Sequence, residues 1–177
     1  DADLARMQDP ALIFTDAGLD PDPWQREYLR STASQNLVLC SRQIGKSTTA
    51  AGRAWHKARY TPKSLSLIVT PSLRQSQEVF RKVGDLRAAS SGVESMESER
   101  ESALQLELAN GSRIVALPGK DKTIVGYSGV SLLILDEASR IPDIVYRAVR
   151  PMLSISRGTL DVLSTPLGQR GFFFQEW

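Results

Sequence analysis

The sequence predicts an α/β fold with a largely parallel central sheet, and three observations carry that prediction. Short strand-like runs at residues 36–40, 65–70, 132–136 and 160–164 are separated by segments with helical spacing. One of them, Leu132 to Leu135, is apolar without a break, as in a strand buried on both faces. The first run breaks into a turn ending in Gly45, Lys46 and Ser47 ahead of a helix, the arrangement that presents backbone N–H groups and an ammonium to a phosphate.

The elements follow in order. Residues 16–23 are rich in Pro, Asp and Gly and read as a loop, leading into a short helix at 24–30. The strand at 36–40 is followed by a helix over 46–60, whose Ala50, Ala51, Ala54 and Ala58 suit close packing on a sheet; Pro62 stops it. After the strand at 65–70, Pro71 intervenes, and residues 75–89 carry Val79, Val83 and Leu86 at helical spacing. Leu104, Leu106 and Leu108 alternate with polar residues before Asn110 and Gly111, a hairpin signal, and residues 114–117 form the return strand. A helix at 142–150 and the strand at 160–164, stopped by Pro166, complete the pattern. The apolar cluster Phe172 to Phe174 and Trp177 suggests one more element, and the chain reads as a truncation of something longer.

Composition narrows the function. The 177 residues suffice for one sizeable core and are read as a single domain, 1–177. No apolar run nears the roughly 20 residues that span a bilayer, so a soluble chain without membrane contact is expected. A net charge of +2, with dispersed cations, permits nucleic-acid contact without demanding it. The one cysteine, Cys40, excludes an internal disulfide and is expected as a buried, inert thiol. With His56 the only histidine, a zinc site or a serine–histidine triad has little support.

The candidate site is a nucleotide site with ATP and Mg²⁺ as its cofactors. In the phosphate-loop pattern G-x-x-x-x-G-K-[ST] the first glycine falls on Cys40, so only the second half is intact. The expected phosphate-binding residues are Ser41, Arg42, Gln43, Ile44, Gly45, Lys46, Ser47 and Thr48. Lys46 would bridge the β- and γ-phosphates, and Ser47 would ligate Mg²⁺. Asp136 is the second metal candidate; Glu137, the catalytic one, would orient and polarise the attacking water. Ser164 and Thr165, at a neighbouring strand end, would sense the γ-phosphate through that water. Gln25 is the candidate reader of the adenine edge, whereas Trp24 either stacks on the base or caps the sheet edge. Arg42, also assigned a catalytic role, would meet the γ-phosphate, a loop carbonyl or an acidic partner. Arg140 would face a neighbouring subunit or solvent.

With these residues in place, the chain resembles the ATPase domain of a tailed-bacteriophage terminase large subunit, the DNA-packaging motor. The resemblance spans about residues 22–166 and rests on Asp22 to Gln25, Ser41 to Thr48, Thr123 to Ser128, Leu132 to Ala138 and Leu163 to Pro166. It implies a P-loop NTPase fold of the RecA-like, additional-strand type, with a mostly parallel sheet, flanking helices and a β-hairpin. It further implies Mg-dependent ATP hydrolysis that moves double-stranded DNA into a procapsid, in the cytoplasm of an infected bacterium. The implied partners are duplex DNA, a portal protein, a small terminase subunit and further copies of the chain in a ring. The family's C-terminal nuclease domain is not represented, so no nuclease activity is expected of these residues. One departure stands out: many members carry an arginine where this chain has Val125, and Arg42, Lys120, Lys122 and Arg140 are the candidate replacements. Two other readings stay open, the first lobe of a two-RecA-lobe helicase and a nucleotide-binding module that does not hydrolyse.

Overall fold

The computed structural model describes residues 2–90, 98–120, 124 and 126–177. Two short helices, α1 (Ala2–Gln8) and α2 (Leu12–Asp16), precede α3 (Pro23–Arg30). Next come β1 (Gln35–Leu39), α4 (Lys46–Tyr60), β2 (Leu65–Thr70) and α5 (Leu73–Ala89). Strands β3 (Ser98–Ser102), β4 (Gln105–Leu108) and β5 (Arg113–Pro118) follow, and then β6 (Leu132–Asp136). The chain continues through α6 (Asp143–Val149), α7 (Leu153–Ser156), β7 (Thr159–Ser164) and α8 (Gly171–Glu176).

All seven strands join one sheet in the order β1-β7-β6-β2-β5-β4-β3. The first five in that order run parallel, and the hairpin strands β4 and β3 add antiparallel at one edge. Period-two alternation decides what each face receives. In β6, Leu132 and Ile134 enter the core beneath α4 and α5, whereas Leu133 and Leu135 enter the core beneath α6 and α8. Ala50, Ala54 and Ala58 are fully buried, so α4 lies close on the sheet, as its small residues predict. Asn110 and Gly111 (φ +78°) turn β4 into β5, with Leu106 opposite Ile114.

Two sequence expectations need correction. The strand after α3, whose apolar residues suggest a core strand, is one of the sheet's two edge strands: Leu37 and Val38 are half-buried and Leu39 is exposed. Cys40 is therefore half-buried rather than buried, and its partial desolvation pushes the thiol pKa up against the opposing charge of Lys46. Two of the cations on α4, Arg53 and Arg59, are tied into ion pairs. Arg59 is buried and pairs with Asp3 of α1 at 2.8 Å. Arg53 pairs with the fully buried Asp161 of β7 at 2.5 Å and donates to the carbonyls of Tyr28, Leu29 and Ser31 at the end of α3. Asp161 also accepts from Tyr28 Oη (2.8 Å) and Asn36 Nδ2 (2.7 Å), so one carboxylate ties together α3, β1, α4 and β7. Among the described residues no helix is long and apolar enough to cross a membrane.

Candidate active site

The parallel register places three chain segments in a row. Leu39 of β1 lies opposite Ser164 of β7, and Leu163 lies opposite Asp136 of β6. Whatever follows β1, β7 and β6 therefore emerges along one edge of the sheet, outside the carboxyl ends of parallel strands, where α/β folds hold ligands. The phosphate loop leaves β1, Thr165 leaves β7, and Glu137 leaves β6.

The loop from Ser41 to Gly45 turns through two left-handed positions, Gln43 (φ +62°) and Gly45 (φ +83°). Left-handed backbone is costly for residues with a Cβ, and Gly45 has a second reason to be glycine. A Cβ there would sit 2.7 Å from Gln25 Nε2. Beyond the turn, α4 begins at Lys46, whose buried ammonium donates to the Ser41 carbonyl (2.9 Å) and lies 3.6 Å from Glu137 Oε1. Ser47 Oγ donates to Asp136 Oδ2 at 2.5 Å. Ser41, Arg42 and Gln43 are exposed, and Ile44 and Thr48 are half-buried.

Asp136 is almost wholly buried, and burial pushes its pKa up, with the Ser47 hydroxyl and Lys46 opposing and Glu137 adding to the rise. β6 ends at this residue, and Glu137 adopts the left-handed conformation (φ +55°) rather than continuing the strand's alternation. That turn lets both carboxylates address the same loop. Such strain in a non-glycine residue costs on the order of 1–3 kcal/mol and is retained only where surrounding contacts impose it. Here they do: Glu137 Oε2 accepts from Thr165 Oγ1 at 3.0 Å, and Oε1 faces Lys46. Ser164, fully buried, accepts from the Ser139 N–H (3.0 Å), and Ser139 Oγ donates to the Thr165 carbonyl (2.9 Å). The end of β7 is thereby stitched to the segment that carries the acid pair.

The structure thus brings together Gln25, Lys46, Ser47, Asp136, Glu137, Ser164 and Thr165. It does not bring in every proposed cation. Arg42 is exposed and makes no hydrogen bond or ion pair among the described residues. Arg140 is exposed and lines a cavity of about 410 Å³ with Arg170 and Phe172, to which no phosphate-loop residue contributes. Lys120 is exposed, and Lys122, Thr123 and Val125 lie outside the described residues. Trp24 is half-buried. Sequence reasoning missed Thr49, fully buried, which accepts from Gln25 Nε2 (2.9 Å) and donates to the Gly45 carbonyl (2.8 Å). Its one signal was a hydroxyl on the alanine-lined side of α4.

As ligands, Ser47 Oγ and Asp136 are hard oxygen donors already drawn to a common point. Among the described residues no group of three or more His, Cys, Asp or Glu is placed to hold a metal ion by itself. Such a site suits Mg²⁺, which takes one or two protein oxygens and completes its shell with water and phosphate.

A family profile described as the N-terminal part of the T4likevirus-type terminase large subunit matches residues 37–177. The terminase large subunits of Thermus phage G20c and Thermus virus P23-45 are each 28% identical over 96% of this chain. The chain spans 39% of the length of these relatives. The large terminase ATPase domain of Thermus phage P74-26 superposes with a TM-score of 0.79 at 26% identity, covering 92% of this chain and 71% of that one. The large terminase of bacteriophage HK97 shares the fold, with a TM-score of 0.73 at 17% identity over 90% of this chain and 37% of that one. The seven-stranded, mostly parallel sheet is accordingly that of a P-loop NTPase.

Proposed function

The chain belongs to the terminase large subunit family, and from that premise we propose that residues 1–177 act as one Mg-dependent ATPase domain powering movement of duplex DNA into a viral procapsid. The observation that carries this reading is the convergence of Lys46 on Glu137 at 3.6 Å and of Ser47 on Asp136 at 2.5 Å. A cation, a hydroxyl and two carboxylates with separate environments meet beside a loop of backbone N–H groups. Phosphoryl transfer to water needs those groups and little covalent chemistry from the protein.

In this mechanism the phosphate loop and Lys46 hold the triphosphate, the ammonium exchanging its carbonyl and carboxylate partners for phosphate oxygens. Ser47 Oγ and Asp136 would hold Mg²⁺, which would neutralise charge on the phosphate oxygens. Glu137 orients a water and takes its proton as the oxygen attacks the γ-phosphorus and the bond to the leaving oxygen breaks. Thr165 fixes the Glu137 carboxylate and lies on the loop leaving β7, so hydrolysis alters a contact that strand can transmit. Val125 replaces the arginine many members carry, and such an arginine supplies about 10³–10⁵ in rate where it operates. Arg42, exposed in the phosphate loop, is the cation assigned to that task here.

The partners that follow are duplex DNA, a portal protein, a small terminase subunit and further copies of the chain in a ring, in the cytoplasm of the infected host. No cleavage chemistry is assigned to these residues. The deciding experiment pairs Glu137→Gln with Lys46→Ala. Glu137→Gln should bind ATP and lose turnover, whereas Lys46→Ala should bind ATP weakly. Normal phosphate release from Glu137→Gln would end the assignment.

A further inference from the structure

Ser139, half-buried in the turn that follows Glu137, ties the end of β6 to the end of β7. The two strands stop pairing at Asp136 and Leu163, where Glu137 turns left-handed (φ +55°). Three hydrogen bonds at Ser139 carry the connection past that point. Its N–H donates to Ser164 Oγ at 3.0 Å, its Oγ accepts from Ser164 Oγ at 2.7 Å, and its own hydroxyl proton goes to the Thr165 carbonyl at 2.9 Å. A hydroxyl can donate and accept at once, and Ser139 does both. On the opposite side the Ser164 carbonyl accepts from the Cys40 N–H at 3.0 Å, at the root of the phosphate loop.

These bonds close a ring around Glu137. Thr165 is buried; its hydroxyl donates to Glu137 Oε2 at 3.0 Å, and its carbonyl is held by Ser139. Only Ala138 lies between Glu137 and Ser139 along the chain. The direction of the carboxylate is thus set from two sides, by its own backbone and by a hydroxyl anchored two residues further on. The other oxygen, Oε1, faces Lys46 at 3.6 Å. Among the described residues Ser139 makes no hydrogen bond to residues 41–48, so its reach into the site runs through Thr165.

We propose that Ser139 is a positioning residue for ATP hydrolysis: it fixes Thr165, and through Thr165 it aims the Glu137 carboxylate at the attacking water. This rests on the proposed function, in which Glu137 takes the proton of that water. A base held in one orientation meets the water in attacking geometry more often than one free to turn. Loss of Ser139 is therefore felt in turnover and not in nucleotide binding.

The test measures phosphate release and Mg-ATP affinity with the intact protein, circular dichroism confirming that each variant is folded. Ser139→Ala should lower kcat about three- to tenfold, the worth of a lost hydrogen bond, and leave the Mg-ATP Kd unchanged. Ser139→Cys, close in shape but a weak donor, should behave in the same way, and Ser139→Thr, which keeps the hydroxyl, should restore turnover. Thr165→Val should also slow turnover, and adding Ser139→Ala to it should slow it little further, because both act through one contact to Glu137. Unchanged kcat in Ser139→Ala and Ser139→Cys, or a weakened Mg-ATP Kd with kcat intact, would overturn the inference. Two effects that simply multiply in the double variant would do the same. A wild-type protein that binds Mg-ATP and releases no phosphate would instead remove the hydrolytic reading on which the role depends.

Discussion

Removing the carboxylate of Asp161 should destabilise the fold more than any change at the active site. Its side chain is fully buried, and three donors converge on it: Arg53 Nε at 2.5 Å, Asn36 Nδ2 at 2.7 Å and Tyr28 Oη at 2.8 Å. Burial and the adjacent carboxylate also hold the Tyr28 phenol well above its usual pKa, so it remains a donor. In Asp161→Ala the Arg53 guanidinium keeps its α3 carbonyls but faces a cavity with its charge unpaired. Breaking a buried pair in this way costs about 3–5 kcal/mol. For a chain of this size about 1 kcal/mol shifts Tm by roughly 2–4 °C, so the melting point should fall by roughly 6–20 °C. Arg53→Lys should lose less but not nothing, because a point charge cannot meet Asp161 and three carbonyls at once. Thermal melts followed by circular dichroism, with urea titration at 25 °C, give both quantities. A Tm drop under about 2 °C for Asp161→Ala would refute the claim that this pair joins the four elements.

Three further outcomes are expected. Gly45→Ala should lower Mg-ATP affinity at least about tenfold in a binding titration, since the added Cβ meets Gln25 at 2.7 Å and the left-handed turn costs on the order of 1–2 kcal/mol. His56, bonded to the Arg6 carbonyl at 3.0 Å, is held below its ordinary 6.5 chiefly by burial. The unfolded chain then binds the proton more readily, so stability present above pH 6.5 is lost as pH falls through the folded value; His56→Gln should flatten that part of a Tm–pH profile. Affinity for duplex DNA should fall steeply between 50 and 200 mM salt, roughly in proportion to the phosphates contacted, and a salt-independent isotherm would count against a phosphate-lined interface.

The sequence revealed most where a residue's neighbours along the chain decide its role. β6 announced itself because Leu132 to Leu135 are buried on both faces, and Gly45 did so because its left-handed backbone favours glycine just before the helix that opens with Lys46 and Ser47. Helix α1 gave no signal because it buries no residue of its own. The outer place of β1 depends on pairing with β7, whose residues lie far along the chain, so its apolar run looked central. Asp161 was legible in principle: an acid between Leu160 and Val162 in a strand must have a partner. Which partner, Arg53, follows only once α4 is laid across the sheet. Gln25 stands out in the sequence as a polar residue ahead of the first strand, but its bonds to Thr49 and Ile44 follow only from the fold that lays α4 beside α3.

The in-line register of β1, β7 and β6 has a consequence for how the protein is made. Asn36 and Asp161 are 125 residues apart, and Ser47 and Asp136 are 89 apart. A ribosome delivers the lysine long before the carboxylates, and the strand that separates them comes last. Non-local parallel pairing of this kind is slow to form. A nascent chain that stops short of Thr165 lacks part of the proposed site, and its phosphate loop and acid pair stand side by side only once β7 has paired with both β1 and β6.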